Sequence, residues 1–112
     1  MVKIEINRNK AKHITSYKLT GHTGYSKLGE FDIVCSAVSV LAQTAVQGLK
    51  VIADIDIKYE IKDGYLSCQL PKELNDKQQL MSIAILETMF VGLKNIEENY
   101  RKHIDVRENE EV

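Results

Sequence analysis

Ile55-Asp56-Ile57-Lys58-Tyr59-Glu60-Ile61-Lys62-Asp63-Gly64-Tyr65-Leu66-Ser67-Cys68-Gln69-Leu70 is the stretch from which the fold is read. Ile55, Ile57, Tyr59 and Ile61 alternate with charged residues, the period of a half-buried strand. Asp63-Gly64 is a favoured two-residue hairpin turn, in which both central residues take positive φ. That register sets Ile61 opposite Leu66, Tyr59 opposite Cys68 and Ile57 opposite Leu70. All six then share one face, which is expected to be buried.

The same reading extends to both sides. Val2, Ile4 and Ile6 alternate with Lys3, Glu5 and Asn7, and after a polar turn over 8–12 a second strand alternates through Thr15, Tyr17 and Leu19. Asp32 stands before a helix whose apolar residues Val34, Val38, Leu41, Ala42, Ala45, Leu49 and Ile52 recur at helical spacing. Gly48 lowers helix propensity there and admits a close neighbour. Beyond Pro71, Asn75 or Asp76 caps a last helix to about His103. Its core stripe is Ile83, Leu86, Phe90, Leu93, Tyr100 and Ile104, widened by Met81, Ile85 and Met89. A helix this apolar covers either a subunit interface or the first helix. The expected fold is therefore an α+β two-layer domain of order ββαββα, an antiparallel four-stranded sheet covered by two helices. The domain spans 1–107, and 108–112 is an acidic, frayed tail.

Composition narrows the function. At 112 residues the chain has room for one core. With 44% hydrophobic and 28% charged residues, it has a globular rather than a disordered composition. A net charge of −1 argues against direct nucleic-acid binding, which calls for a basic excess. No leader precedes the first strand pattern. The longest uncharged run, from Ile33 to Leu49, is interrupted by Ser36, Ser39, Gln43, Thr44 and Gln47, and reads as a buried helix rather than a membrane span of ~20 apolar residues. Two cysteines without an export signal point to thiols in a reducing cytoplasm. The histidines are isolated and there is no Cys-x-x-Cys, so no metal site or cofactor is indicated.

The chemistry concentrates in Gly21-His22-Thr23-Gly24-Tyr25 and Gly29-Glu30-Phe31-Asp32-Ile33-Val34-Cys35-Ser36-Ala37. Three of the six glycines fall between Gly21 and Gly29. Such a loop can double back and bring His22 to the helix end that carries Cys35. A thiolate is stabilised where helix amides are open and the dipole is positive, and a nearby histidine takes its proton. A lone helical cysteine is more often a core residue; the loop and the helix end together favour chemistry. Asp32 has two competing readings, a helix cap or an orienting partner for His22, and the cap is preferred, leaving a dyad of His22 and Cys35. The backbone N–H groups of Cys35 and Ser36 are candidate oxyanion donors. Tyr25 and Phe31 are either walls for a substrate side chain or loop anchors. Cys68 faces the core and reads as structural.

This stretch resembles the signature of the ribosomal-processing cysteine proteases, the Prp (YsxB-like) family, in Gly21-His22, Tyr25, Gly29, Asp32, Ile33-Val34-Cys35 and Ala37-Val38-Ser39. Length and element order agree as well. Thr23, Ser36 and Glu30-Phe31 depart from the usual pattern without removing a proposed catalytic group. The resemblance implies a cysteine endopeptidase acting through a thioester acyl-enzyme, with His22 as general base and acid and Cys35 as nucleophile. Gly21, Gly24, Tyr25, Phe31 and Ser36 are the candidate substrate-binding residues. It further implies a cytoplasmic homodimer whose substrate is the precursor of large-subunit ribosomal protein twenty-seven, shortened at its N-terminal extension. Two other readings compete: a non-catalytic assembly factor that binds the same basic tail, and a redox-sensing thiol.

Overall fold

The structure, a computed structural model, describes residues 1–21 and 30–111. Strand β1 (Val2–Arg8) is followed by β2 (Ile14–Thr20) and helix α1 (Glu30–Gln47), which runs on into a π-helical turn, Gly48–Ile52. Strands β3 (Lys58–Lys62) and β4 (Tyr65–Gln69), helix α2 (Asp76–Asn99) and strand β5 (Ile104–Glu110) complete the chain. The expected ββαββα order is present, with one strand added.

That strand changes the sheet. Five strands lie in the order β3-β4-β2-β1-β5, and β5 pairs parallel to β1, Val2 with Ile104 through Arg8 with Glu110. The sheet is mixed and five-stranded, not four-stranded and antiparallel. Ile104 belongs to β5 rather than to the last helix, and Glu108 to Glu110 continue the strand instead of fraying. The charges beyond Val106 suit an edge strand, where they discourage pairing with another chain.

Register explains the core. One cross-strand row reads Ile61, Leu66, Leu19, Ile4, Val106, and the next reads Tyr59, Cys68, Tyr17, Ile6, Glu108. The inner members of both rows are buried beneath the helices. From the middle of the sheet the Tyr17 hydroxyl donates to the Ala42 carbonyl of α1 at 2.8 Å. The expected pairs Ile61–Leu66 and Tyr59–Cys68 are present, but pairing ends at Lys58–Gln69, so Ile57 does not oppose Leu70. Ahead of β3 the chain bends through Asp54, whose φ is 53°. In the β3–β4 turn only Gly64 takes positive φ, at 70°, so the expected pair of left-handed residues is not formed. Nor is the β3 half of the face buried: Tyr59 and Ile61 are 44% and 43% exposed, because β3 is the sheet's outer strand.

The run Ile33–Ile52 has a mean hydropathy of 1.3, enough for a membrane span by composition. Its residues Val34, Val38, Ala42, Ala45, Val46 and Leu49 lie in the core instead. A Cβ on Gly48 would stand 3.4 Å from Ile85, and one on Gly92 3.1 Å from Leu41, so the two helices meet closely at both points. The apolar breadth of α2 thus partly serves contact with α1. Asn75 caps α2 in a reciprocal box: its side chain accepts from the Gln78 N–H at 2.7 Å, and the Gln78 side chain accepts from the Asn75 N–H at 3.1 Å. The helix ends at Asn99, so Tyr100 lies beyond it and is exposed rather than in the core stripe. At the opposite end of the sheet Arg8 joins three elements. It makes a two-pronged pair with Glu87 of α2 at 2.6 and 3.1 Å and bonds Glu108 of β5 at 2.8 Å. Its guanidinium also lies 4.9 Å from the Phe90 ring centre.

Candidate active site

The site begins where β2 ends. Gly21 follows the last strand residue, and its N–H donates to the Gly64 carbonyl at 3.1 Å. The two residues interlock. A Cβ on Gly21 would come within 2.9 Å of the Val2 Cα, and one on Gly64 within 2.7 Å of the Gly21 oxygen. Only glycine fits either place, and Gly64 needs it for its φ as well. The point from which the chain enters 22–29 is thereby fixed against the tip of the β3–β4 hairpin. His22, Gly24 and Tyr25 lie outside the described residues.

Helix α1 starts at Glu30, which revises two expectations. Asp32 sits in the first turn instead of capping the helix from outside. Cys35 is in the second turn, where regular i→i−4 bonding engages the amides of Cys35 and Ser36. Open donors belong to the first turn only, so those two amides are not the oxyanion donors. Helical side chains lean toward the N-terminus, and Cys35 therefore leans toward that turn. Cys35 is buried at 5% exposure beside Val34 and Val38, whereas Ser36 is exposed. Phe31, like Asp32, has its backbone in the first turn of α1.

Cys68 is a different kind of thiol. It lies in β4 between Tyr59 and Tyr17, and burial pushes it up to about 11, with the neighbouring Tyr17 hydroxyl acting in the opposite direction. Burial and the neighbouring Cys68 push the Tyr17 phenol far above its ordinary value. A thiol held neutral in a sheet core is a poor nucleophile. Among the described residues no group of three or more His, Cys, Asp or Glu side chains is arranged to hold a metal ion.

One feature had no signal in the sequence. A cleft of about 260 Å³ lies between α1 and the β3–β4 hairpin, lined by Leu19, Ser39, Gln43, Ile61, Gly64 and Leu66 among others. Ser39 is one helical turn beyond Cys35. Gly64 is the residue that holds Gly21. Asp63-Gly64 was legible as a turn, but nothing in the sequence paired that turn with Gly21.

The family model for the cysteine protease Prp matches residues 1–105. The chain belongs to the Prp family. The ribosomal processing cysteine protease Prp of Bacillus subtilis is 29% identical over 111 residues, covering 97% of this chain and 98% of its own. A crystal structure from Streptococcus mutans superposes with a TM-score of 0.87 at 30% identity, over 99% of this chain and 96% of that one. The Prp protease of S. aureus, crystallised with a covalently linked product peptide, superposes at 0.81 with 25% identity, over 97% and 100%. The protein is thus a Prp-type cysteine protease of ribosomal processing, with the α+β fold of that family.

Proposed function

We propose that this protease removes the short N-terminal extension of the precursor of large-subunit ribosomal protein twenty-seven, with Cys35 as nucleophile and His22 as base. The observation that carries the reading is the family match across 1–105 together with the place of Cys35 in the second turn of α1. Of the two cysteines, Cys68 is committed to the sheet core. His22 follows Gly21, whose position against Gly64 is fixed. The substrate follows from the resemblance in the sequence, and a covalently linked product peptide on the S. aureus relative agrees with acyl-enzyme chemistry.

In this mechanism His22 accepts the Cys35 thiol proton, and the thiolate adds to the scissile carbonyl. Amides of the first turn of α1 stand nearest to the resulting oxyanion, on the side toward which Cys35 leans. The C–N bond breaks, the leaving amine takes the proton from His22, and a thioester remains on Cys35. Water, deprotonated by His22, then releases the acid and restores the thiol. Asp32, two residues into the helix, serves the site by orienting His22 or by stabilising the helix start. The enzyme acts in the cytoplasm as a homodimer, and the uncharged outer face of α1, with Ile33 and Val40 exposed, suits the contact between copies.

Incubating the extended ribosomal protein with the enzyme and following its mass tests the reading. One discrete N-terminal shortening is expected from the parent and none from Cys35→Ala or His22→Ala. An unchanged substrate with folded, reduced parent enzyme contradicts it.

A further inference from the structure

Strand β2 leads into His22 and helix α1 carries Cys35, so the placement of one element on the other bears directly on the reaction. β2 is the middle strand of the sheet. Tyr17 lies on it between Ile6 of β1 and Cys68 of β4, and all three are buried. From this point the Tyr17 hydroxyl donates to the Ala42 carbonyl of α1 at 2.8 Å.

Both elements run from that bond toward the same end of the molecule. Leu19 and Ser39 line one cleft, so the step from Tyr17 to Leu19 accompanies the step from Ala42 to Ser39. Four residues of strand, about 13 Å, lead from Tyr17 to Gly21. Seven residues of helix, about 10 Å, lead from Ala42 to Cys35. At Gly21 the strand end is held a second time, by the N–H bond to the Gly64 carbonyl.

The two kinds of contact between β2 and α1 differ in what they fix. The buried face of α1 is built from small aliphatic residues, Val34, Val38, Ala42, Ala45 and Val46. Their burial is favourable but non-directional, so it defines the axial position of the helix weakly. A hydrogen bond has a preferred length and angle. The Ala42 carbonyl accepts within the helix as well, and its second lone pair takes the phenol. Removing the phenol oxygen therefore orphans no helix acceptor; it releases the register. A displacement of about 1 Å between reacting groups is enough to cost about a hundredfold in rate.

We propose that Tyr17 is a positioning residue of the protease: its bond to Ala42 sets the axial position of α1 on β2, and with it that of Cys35 relative to the strand end that continues into His22. The proposal rests on the reading of Cys35 and His22 as nucleophile and base.

Tyr17→Phe removes one oxygen and keeps the ring in the core. On the extended ribosomal protein, where circular dichroism shows the variant folded, its kcat is expected to fall about tenfold with KM within about twofold of parent. Arg8→Ala, which breaks pairs with Glu87 and Glu108 at the other end of the sheet, should leave both constants unchanged. A second readout needs no substrate. The rate at which iodoacetamide alkylates Cys35 at pH 7, followed by peptide mapping, is compared across a double-mutant cycle. Tyr17→Phe should slow it about tenfold when His22 is present and by less than about twofold in His22→Ala, since only a base still present is misplaced. Equal slowing in both backgrounds, or kcat and alkylation of Tyr17→Phe both within about twofold of parent, overturn the proposal. Alkylation of the parent that is indifferent to His22→Ala overturns the dyad reading and the proposal with it. Alkylation that depends on both His22 and Tyr17 without cleavage by the parent upholds the positioning role and overturns the substrate alone.

Discussion

The N–H of Gly21 donates to the carbonyl of Gly64 at 3.1 Å, joining the end of β2 to the tip of the β3–β4 hairpin. Neither residue has room for a Cβ. The contact links the residue before His22 to the hairpin that borders the cleft beside α1.

Gly64→Ala tests that link. An alanine at φ 70° carries a left-handed penalty of about 1–2 kcal/mol, and its Cβ would displace the Gly21 carbonyl. Urea denaturation should show at least that loss. Activity under conditions where the variant is fully folded should fall further than for Gly48→Ala, whose Cβ meets only the side chain of Ile85.

The alkaline limb of stability should report Cys68 and Tyr17. Cys68 is raised from 9.0 to about 11 in the fold, and Tyr17 is raised as well. Above pH 9 the unfolded chain loses these protons while the native state keeps them. Their contribution is therefore complete below about pH 9 and declines as pH rises toward the folded values, by up to about 1.4 kcal/mol per pH unit for each group. Urea midpoints at pH 8 and pH 10 should differ less in Cys68→Ala and in Tyr17→Phe than in the parent. Equal pH dependence in all three contradicts the assignment. At pH 8 Tyr17→Phe should also cost about 1 kcal/mol for the lost bond to Ala42.

Thiol labelling should separate the two cysteines. At pH 8 a thiol raised to about 11 is overwhelmingly neutral, and only the thiolate reacts. Iodoacetamide should therefore modify Cys35 of the folded protein before Cys68, as read by peptide mapping, and denaturation should remove the difference.

Strand β5 should be integral to the domain. Ile104 is buried opposite Val2, and Ile104→Ala should cost about 2–5 kcal/mol. Arg8→Ala removes charge-assisted bonds to Glu87 and Glu108 and should cost about 2 kcal/mol. Thermal unfolding followed by circular dichroism measures both. A melting temperature unchanged in either variant contradicts the parallel pairing as a source of stability.

The central strands and both helices were legible because their patterns are local. Alternation in β1, β2 and β4, and the Asn75 cap of α2, follow from neighbouring residues. Strand β5 was not, because only Ile104 and Val106 carry its buried face and the charges that follow look like a tail. The start of α1 was misplaced because Asp32 has cap chemistry two residues inside a helix that begins at Glu30. Exposure of Tyr59 and Ile61 depends on β3 being the outer strand, which alternation within β3 cannot show. Cys35 stood out through its motif, whereas the Gly21–Gly64 contact and the cleft lined by Ile61 and Gln43 arise only when distant segments meet.

The account turns on a thioester at Cys35, and acid-quenched mass spectrometry of the enzyme during turnover of the extended ribosomal protein tests it most directly. A transient enzyme species, heavier by the acyl fragment and mapped to Cys35, is the predicted result; Cys35→Ala should show neither the adduct nor product. An adduct mapped to Cys68, or product formation that persists in Cys35→Ala, would contradict it.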